Sequence, residues 1–209
     1  MNYRLKIFID HEASMPYHYR MKDMAVWKLS KLDELTKLER SISSLDFDRI
    51  IETGNSMVEV LKNGNKIAFL GNGGSAAESM HLAAEFVSKC SNEHRPLNAI
   101  SLNESQSAIT AIANDYGFEF VFERLVEAEL RKGDILVALS TSGKSINVLK
   151  AINKALNLGV KVHLWTGSNN PKLKGVDVWN CALESTPRIQ ELHLIWGHLL
   201  AEYVELHFE

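Results

Sequence analysis

The sequence predicts an α/β fold, a parallel β-sheet flanked by helices on both faces and preceded by a helical N-terminal segment. Three observations carry this. From Lys66 onward short apolar runs alternate with helical patterns, which is the mark of βαβ units. Before Lys66 only helical periodicity is present. With 209 residues, 45% of them hydrophobic, the chain has the size and composition of one core.

Residues 1–20 read as an irregular extension, and 21–209 as a single domain. From Met21, "MKDMAVWKLSKLDELTKLERSIS" places Met24, Val26, Leu29, Leu32, Leu35 and Leu38 mostly at three-residue steps, an amphipathic helix. A second helix fits "DFDRIIETGNSMVEVLKNG", with Asp46 as N-cap and Gly64 as terminator, although Gly54 weakens its middle. "KIAFLG", "NAISL", "DILVALS", "VKVHLW" and "VDVWNCAL" read as strands. Between them "SAAESMHLAAEFVSK", "SAITAIAN", "EFVFERLVEAELRK" and "SINVLKAINKALNLG" read as helices, the last closed by Gly159. "RIQELHLIWGHLLAEYVELHF" is a final helix. No repeat or linker interrupts this order.

Bulk properties exclude several classes of function. A formal net charge of −3 with scattered Lys and Arg provides no basic field for nucleic acid. No run approaches the roughly 20 apolar residues that span a bilayer, and "IFI" near the start is broken by Asp10, His11 and Glu12, unlike a signal peptide. Cys90 and Cys181 lack any C-x-x-C spacing, as reduced thiols in the cytoplasm would.

Two loops have suggestive chemistry. Ligands of parallel sheets collect at the carboxyl ends of strands, where helix N-termini offer free N–H groups to anions. Gly71-Asn72-Gly73-Gly74-Ser75 follows the first strand, and Ser140-Thr141-Ser142-Gly143-Lys144-Ser145 follows the third. Such residues also suit ordinary turns and caps, but two such loops on one sheet favour a phosphate seat. Gly71-x-Gly73-x-x-Ala76 matches a relaxed dinucleotide fingerprint too, with Glu104 where a ribose-binding acid would lie. The hydroxyl-rich second loop falls outside that fingerprint. So do His81 and Glu85, four apart and thus on one helix face. By themselves these two make an ordinary exposed pair, and H-x-x-x-E is not the spacing of zinc peptidases.

"GNGGSAAESMHLAAEF", "AIANDYGFEFVF", "STSGKSINVLKA" and "RIQELHLIWGH", in this order and spacing, resemble the SIS (sugar isomerase) fold family, specifically its sedoheptulose 7-phosphate, or phosphoheptose, isomerases. The resemblance covers residues 21–209 and implies an SIS-type sheet. It implies that Asn72, Gly73, Gly74, Ser75, Glu85, Asn114, Asp115, Ser140, Thr141, Ser142, Ser145 and Gln190 contact a sugar phosphate. It implies zinc at His81, Glu85, Gln190 and His198, with Glu85 and His198 as the proton-transfer pair, and a cytoplasmic homotetramer. Pro187 stands where some members carry an acid, so no role of that acid transfers.

The chemistry is coherent without the label. Moving a proton between C1 and C2 through an enediol suits a carboxylate base and an imidazole acid, and a divalent ion would stabilise the enediolate. Gln190 and His198 are eight residues apart, about 12 Å along a helix, which predicts a metal site assembled across subunits. His193 reads as a packing or interface residue. The alternative function is a noncatalytic SIS protein that binds a replication-initiator partner; it would need neither Glu85 nor His198. A sugar-phosphate sensor fused to a DNA-binding module is disfavoured, since residues 1–20 are too short and too weakly basic for one.

Overall fold

The computed structural model describes residues 17–208. The elements run α1 (Tyr17–Ser43), α2 (Phe47–Lys62), β1 (Ile67–Gly71), α3 (Gly74–Val87), β2 (Ala99–Ser101), α4 (Gln106–Tyr116), α5 (Val121–Glu129), β3 (Ile135–Leu139), α6 (Ile146–Asn157), β4 (Lys161–Thr166), β5 (Val176–Asn180) and α7 (Thr186–Glu205). All five strands pair in parallel, in the order β2-β1-β3-β4-β5. The predicted parallel sheet with helices on both faces is therefore present.

Alternation along the strands builds both faces. Ile67, Phe69, Ile135, Val137, Leu139 and Trp165 join one core with α2, α3 and α7. Ala68, Leu70, Leu136, Ala138, Val162 and Leu164 join a second with α5 and α6. Each such large side chain contributes about 1.5–3 kcal/mol on burial. Strands buried on both faces read as continuous apolar runs, which is why these segments were legible.

Several boundaries differ: β5 stops at Asn180 and not Leu183, and α7 runs Thr186–Glu205 and not 188–208. α1 begins at Tyr17 and not Met21; residues 1–16 of the expected extension lie outside the described residues. The segment 119–132 is not one helix: a 3-10 turn at Phe118–Phe120 leads into α5, which stops at Glu129 with Leu130 extended. There the Asp134 carboxylate accepts from Arg131 N at 2.8 Å and from Lys66 N at 3.0 Å, which turns the chain into β3 beside β1. In α2, Asp46 caps as predicted, accepting from Arg49 N at 3.0 Å. Gly54 is there for packing, because a Cβ would stand 2.4 Å from the Tyr203 ring on α7.

The strand order places a topological switch between β1 and β3, where the chain leaves in opposite directions and a crevice opens at the carboxyl ends. Gly71 and Leu139 are opposite one another at that edge. The two loops singled out by sequence thus start side by side.

Candidate active site

The glycine loop is shaped by contacts that only glycine permits. Gly73 has φ +56°, a left-handed conformation that costs other residues, and a Cβ on Gly71 would stand 2.5 Å from the Ser75 carbonyl. Asn103 fixes the strand end from below: its Oδ1 accepts from Gly71 N at 3.1 Å and its Nδ2 donates to Gly71 O at 3.0 Å. The second loop turns at Gly143, φ +62°. Ser140 Oγ donates to Ser145 Oγ at 3.2 Å, and Lys144 N donates to Ser142 Oγ at 3.2 Å. A reciprocal amide pair joins the loops, with Asn72 and Asn147 donating to each other at 2.9 Å.

Caps reveal what the loops leave free. α2 and α4 are closed by the side chains of Asp46 and Ser105, whereas α3 and α6 begin at Gly73 and Ser145 with no side-chain cap. Ser75 N donates to Asn72 O at 3.0 Å and Val148 N to Asn147 Oδ1 at 2.9 Å, so these N-termini offer an anion part of their N–H groups beside their positive dipole ends. Thr141 is half-buried and Ser142 exposed beside them. Asn114 and Asp115 are not drawn in: both are exposed on α4, Asn114 Nδ2 donates to Asp115 Oδ1 at 2.7 Å, and α4 packs on α5 and the 3-10 turn. Glu104, weighed as a ribose-binding acid, instead accepts from Ser101 N in its own turn at 3.1 Å.

α3 and α7 bring a second group together. His81 Nε2 and His198 Nε2 are 2.8 Å apart, and His81 Nδ1 is 3.5 Å from Glu85 Oε1. His81, Glu85 and His198 offer ligand atoms all within 4.8 Å of one another. Two imidazole nitrogens and a carboxylate oxygen at such spacing form a donor set that suits a divalent ion. These three come from one chain. Gln190, the fourth expected ligand, packs on the glycine loop, its Nε2 donating to Ser75 Oγ at 3.4 Å.

An SIS domain model matches residues 32–167. A phosphoheptose isomerase of Aquifex aeolicus is 41% identical over 174 residues, 82% of this chain and 91% of that protein. One of Helicobacter pylori is 44% identical over 173 residues, 82% of this chain and 90% of that protein. The chain belongs to the phosphoheptose isomerase family of SIS domain proteins. Among solved structures, the Neisseria gonorrhoeae phosphoheptose isomerase is 32% identical with a TM-score of 0.74, covering 89% of this chain and 98% of its own. That from Francisella tularensis is 27% identical with a TM-score of 0.80, covering 88% and 98%.

Within this SIS domain, residues that the sequence did not single out hold the site in shape. Asn103 and Asn147 look like ordinary loop and helix polar residues until the fold brings them to Gly71 and Asn72. Gly197 lets α7 approach α3, since a Cβ there would stand 2.2 Å from Leu82 Cδ2. His193 is fully buried, stacked on Trp196 with ring centroids 5.4 Å apart, as a packing residue should be. Burial pushes it down to about 4. Glu78, one turn before His81, is also buried, and burial pushes its carboxyl up to about 7.

Proposed function

We propose that the protein is an aldose-ketose isomerase converting sedoheptulose 7-phosphate to D-glycero-D-manno-heptose 7-phosphate, the first step of bacterial heptose nucleotide synthesis. The observation that supports this reading is that α3 carries two separate polar groups. Its uncapped N-terminus meets that of α6 at the hydroxyl loop, and further along it presents His81 and Glu85 to His198. Gly74 and His81 are separated by about 10 Å of helical rise, a span that a seven-carbon sugar phosphate can bridge. Asn72, Gly73, Gly74 and Ser75, with Ser140, Thr141, Ser142 and Ser145, would hold the phosphate end through N–H and O–H donors. Asn114 and Asp115 enter only on the family resemblance.

At the carbonyl end the Glu85 carboxylate removes a proton from C1 as His198 donates one to the C2 oxygen, giving the enediol. Glu85 then returns its proton to C2 while His198 takes one from the C1 oxygen, which leaves the aldehyde. Both groups finish in their starting states, and each stage of proton transfer is worth roughly 10²–10⁴ in rate. His81, Glu85 and His198 would hold a zinc ion, joined by Gln190 on the family resemblance alone, and the ion when bound would polarise the carbonyl as a Lewis acid.

The exposed apolar residues of α1 support a homo-oligomer, the family resemblance makes it a tetramer, and the phosphorylated substrate supports a cytoplasmic site of action. A noncatalytic partner-binding role is not favoured, since relatives at 41–44% identity are isomerases. Incubating zinc-supplemented protein with sedoheptulose 7-phosphate and following aldose anomeric protons by NMR tests the reading. Appearance of the heptose is the expected result; binding without conversion would return the partner-binding reading.

A further inference from the structure

A third segment reaches the crevice. The chain leaving β4, residues 167–171, runs beside the hydroxyl loop, and its Ser168 and Asn169 join Thr141, Ser142 and Lys144 in lining a cavity of about 320 Å³. This segment is held from several sides. Gly167 N donates to Thr141 O at 3.0 Å and Ser168 N to Leu183 O at 2.9 Å, while the buried Thr166 hydroxyl donates to Asn169 O. Asn169 is thereby fixed against the turn of the hydroxyl loop. Its Nδ2 donates to Ser142 O at 3.0 Å, and a Cβ on Gly143 would stand 3.0 Å from the same nitrogen.

A loop that seats a phosphate must turn its carbonyl oxygens away, since each carries partial negative charge. Three successive carbonyls are engaged by donors here. Ser140 O accepts from Gly143 N at 2.9 Å, and Thr141 O accepts from Gly167 N. Both donors are backbone groups, which any residue but proline supplies. Ser142 O accepts from the side chain of Asn169, so of the three bonds this one depends on residue type. Without it the carbonyl could swing toward the anion and carry the Ser142 hydroxyl out of place. That hydroxyl accepts from Lys144 N at 3.2 Å, which leaves its hydrogen to donate to a phosphate oxygen.

We propose that Asn169 is a positioning residue for the phosphate end of the substrate, holding the Ser142 carbonyl away from the anion and the Ser142 hydroxyl toward it. The role rests on reading the hydroxyl loop as the phosphate seat.

Steady-state kinetics of the full chain with sedoheptulose 7-phosphate, zinc supplied, test the role. Asn169→Ala should raise KM roughly fivefold or more, the worth of one hydrogen bond. Its kcat should stay within about twofold, because a phosphate seat grips substrate and transition state alike. Asn169→Leu keeps the bulk and lacks the donor; it should do the same, and it keeps the test open if the alanine variant does not fold. Ser142→Ala should also raise KM. In that background Asn169→Ala should multiply KM by less than it does in the wild type, since the hydroxyl that it positions is gone. Full multiplication would mean that Asn169 touches the substrate on its own account, and an unchanged KM would mean that it serves folding only. Either result, with KM raised by Ser142→Ala, would overturn the role of Asn169 alone. An unchanged KM in Ser142→Ala would overturn the phosphate seat and this role together, and absence of turnover by the wild type would overturn the isomerase reading with them.

Discussion

Glu78 and His193, whose Oε1 and Nδ1 are 3.9 Å apart, tie stability to pH with opposite signs. The Glu78 carboxyl is raised from 4.5 to about 7; its contribution is complete below about 4.5 and is lost as pH rises through about 7. His193 is lowered from 6.5 to about 4; its contribution is complete above about 6.5 and is lost as pH falls through about 4. Each changes stability by up to about 1.4 kcal/mol per pH unit within its window, so from about 4.5 to about 6.5 the two slopes offset each other. Single replacements should unmask them. In urea unfolding of metal-free protein, Glu78→Gln should gain stability relative to wild type as pH rises from about 4.5 to 7. His193→Gln should gain it as pH falls from about 6.5 to 4. Differences independent of pH would contradict both assignments. The pair also marks a limit of reading by residue. His81 and Glu85 were legible because four-residue spacing on a helix implies a shared face, whereas nothing in the spacing of Glu78 and His193, 115 positions apart, announces that they meet.

Elements are positioned here by close approach. Leu82 is fully buried, so it cannot swing away from a methyl group added at Gly197. Gly197→Ala should therefore separate α3 from α7, cost about 1–3 kcal/mol as overpacking does, and draw His198 away from His81. Denaturant unfolding together with zinc titration checks this, the account predicting loss of both stability and zinc affinity; a change in neither would show that the helices have slack. The same physics explains which elements the sequence disclosed. The strands stood out because both of their faces are buried, and α2 because Asp46 and Gly64 mark its ends. The segment 119–132 misled because its apolar spacing continues through Leu130, while the stop comes from Asp134, a residue of the next turn. For the same reason the loops were found as motifs, but not the Asn72–Asn147 clasp, which exists only once β1 and β3 are neighbours.

At the scale of the whole molecule, α1 packs on α7 and leaves an apolar stripe exposed. Val26, Trp27 and Leu29 are 68%, 63% and 67% exposed, and among the described side chains of α1 only Leu38 of the large apolar residues is buried. So long an apolar stripe is what an assembly surface exposes in a single chain. Light scattering after gel filtration should give the mass of a tetramer for the wild type and a smaller species for the Leu29→Glu, Leu32→Glu double variant. A monomeric wild type, or a variant of unchanged mass, would contradict that use of α1. Fold, loops and the polar group on α3 and α7 converge on one claim, that Glu85 moves the proton of an aldose-ketose isomerisation. The most direct measurement is turnover and sugar-phosphate binding by Glu85→Gln beside the wild type, with zinc supplied in excess. The account predicts binding retained and turnover lowered by at least about 10²-fold; turnover equal to wild type would contradict it.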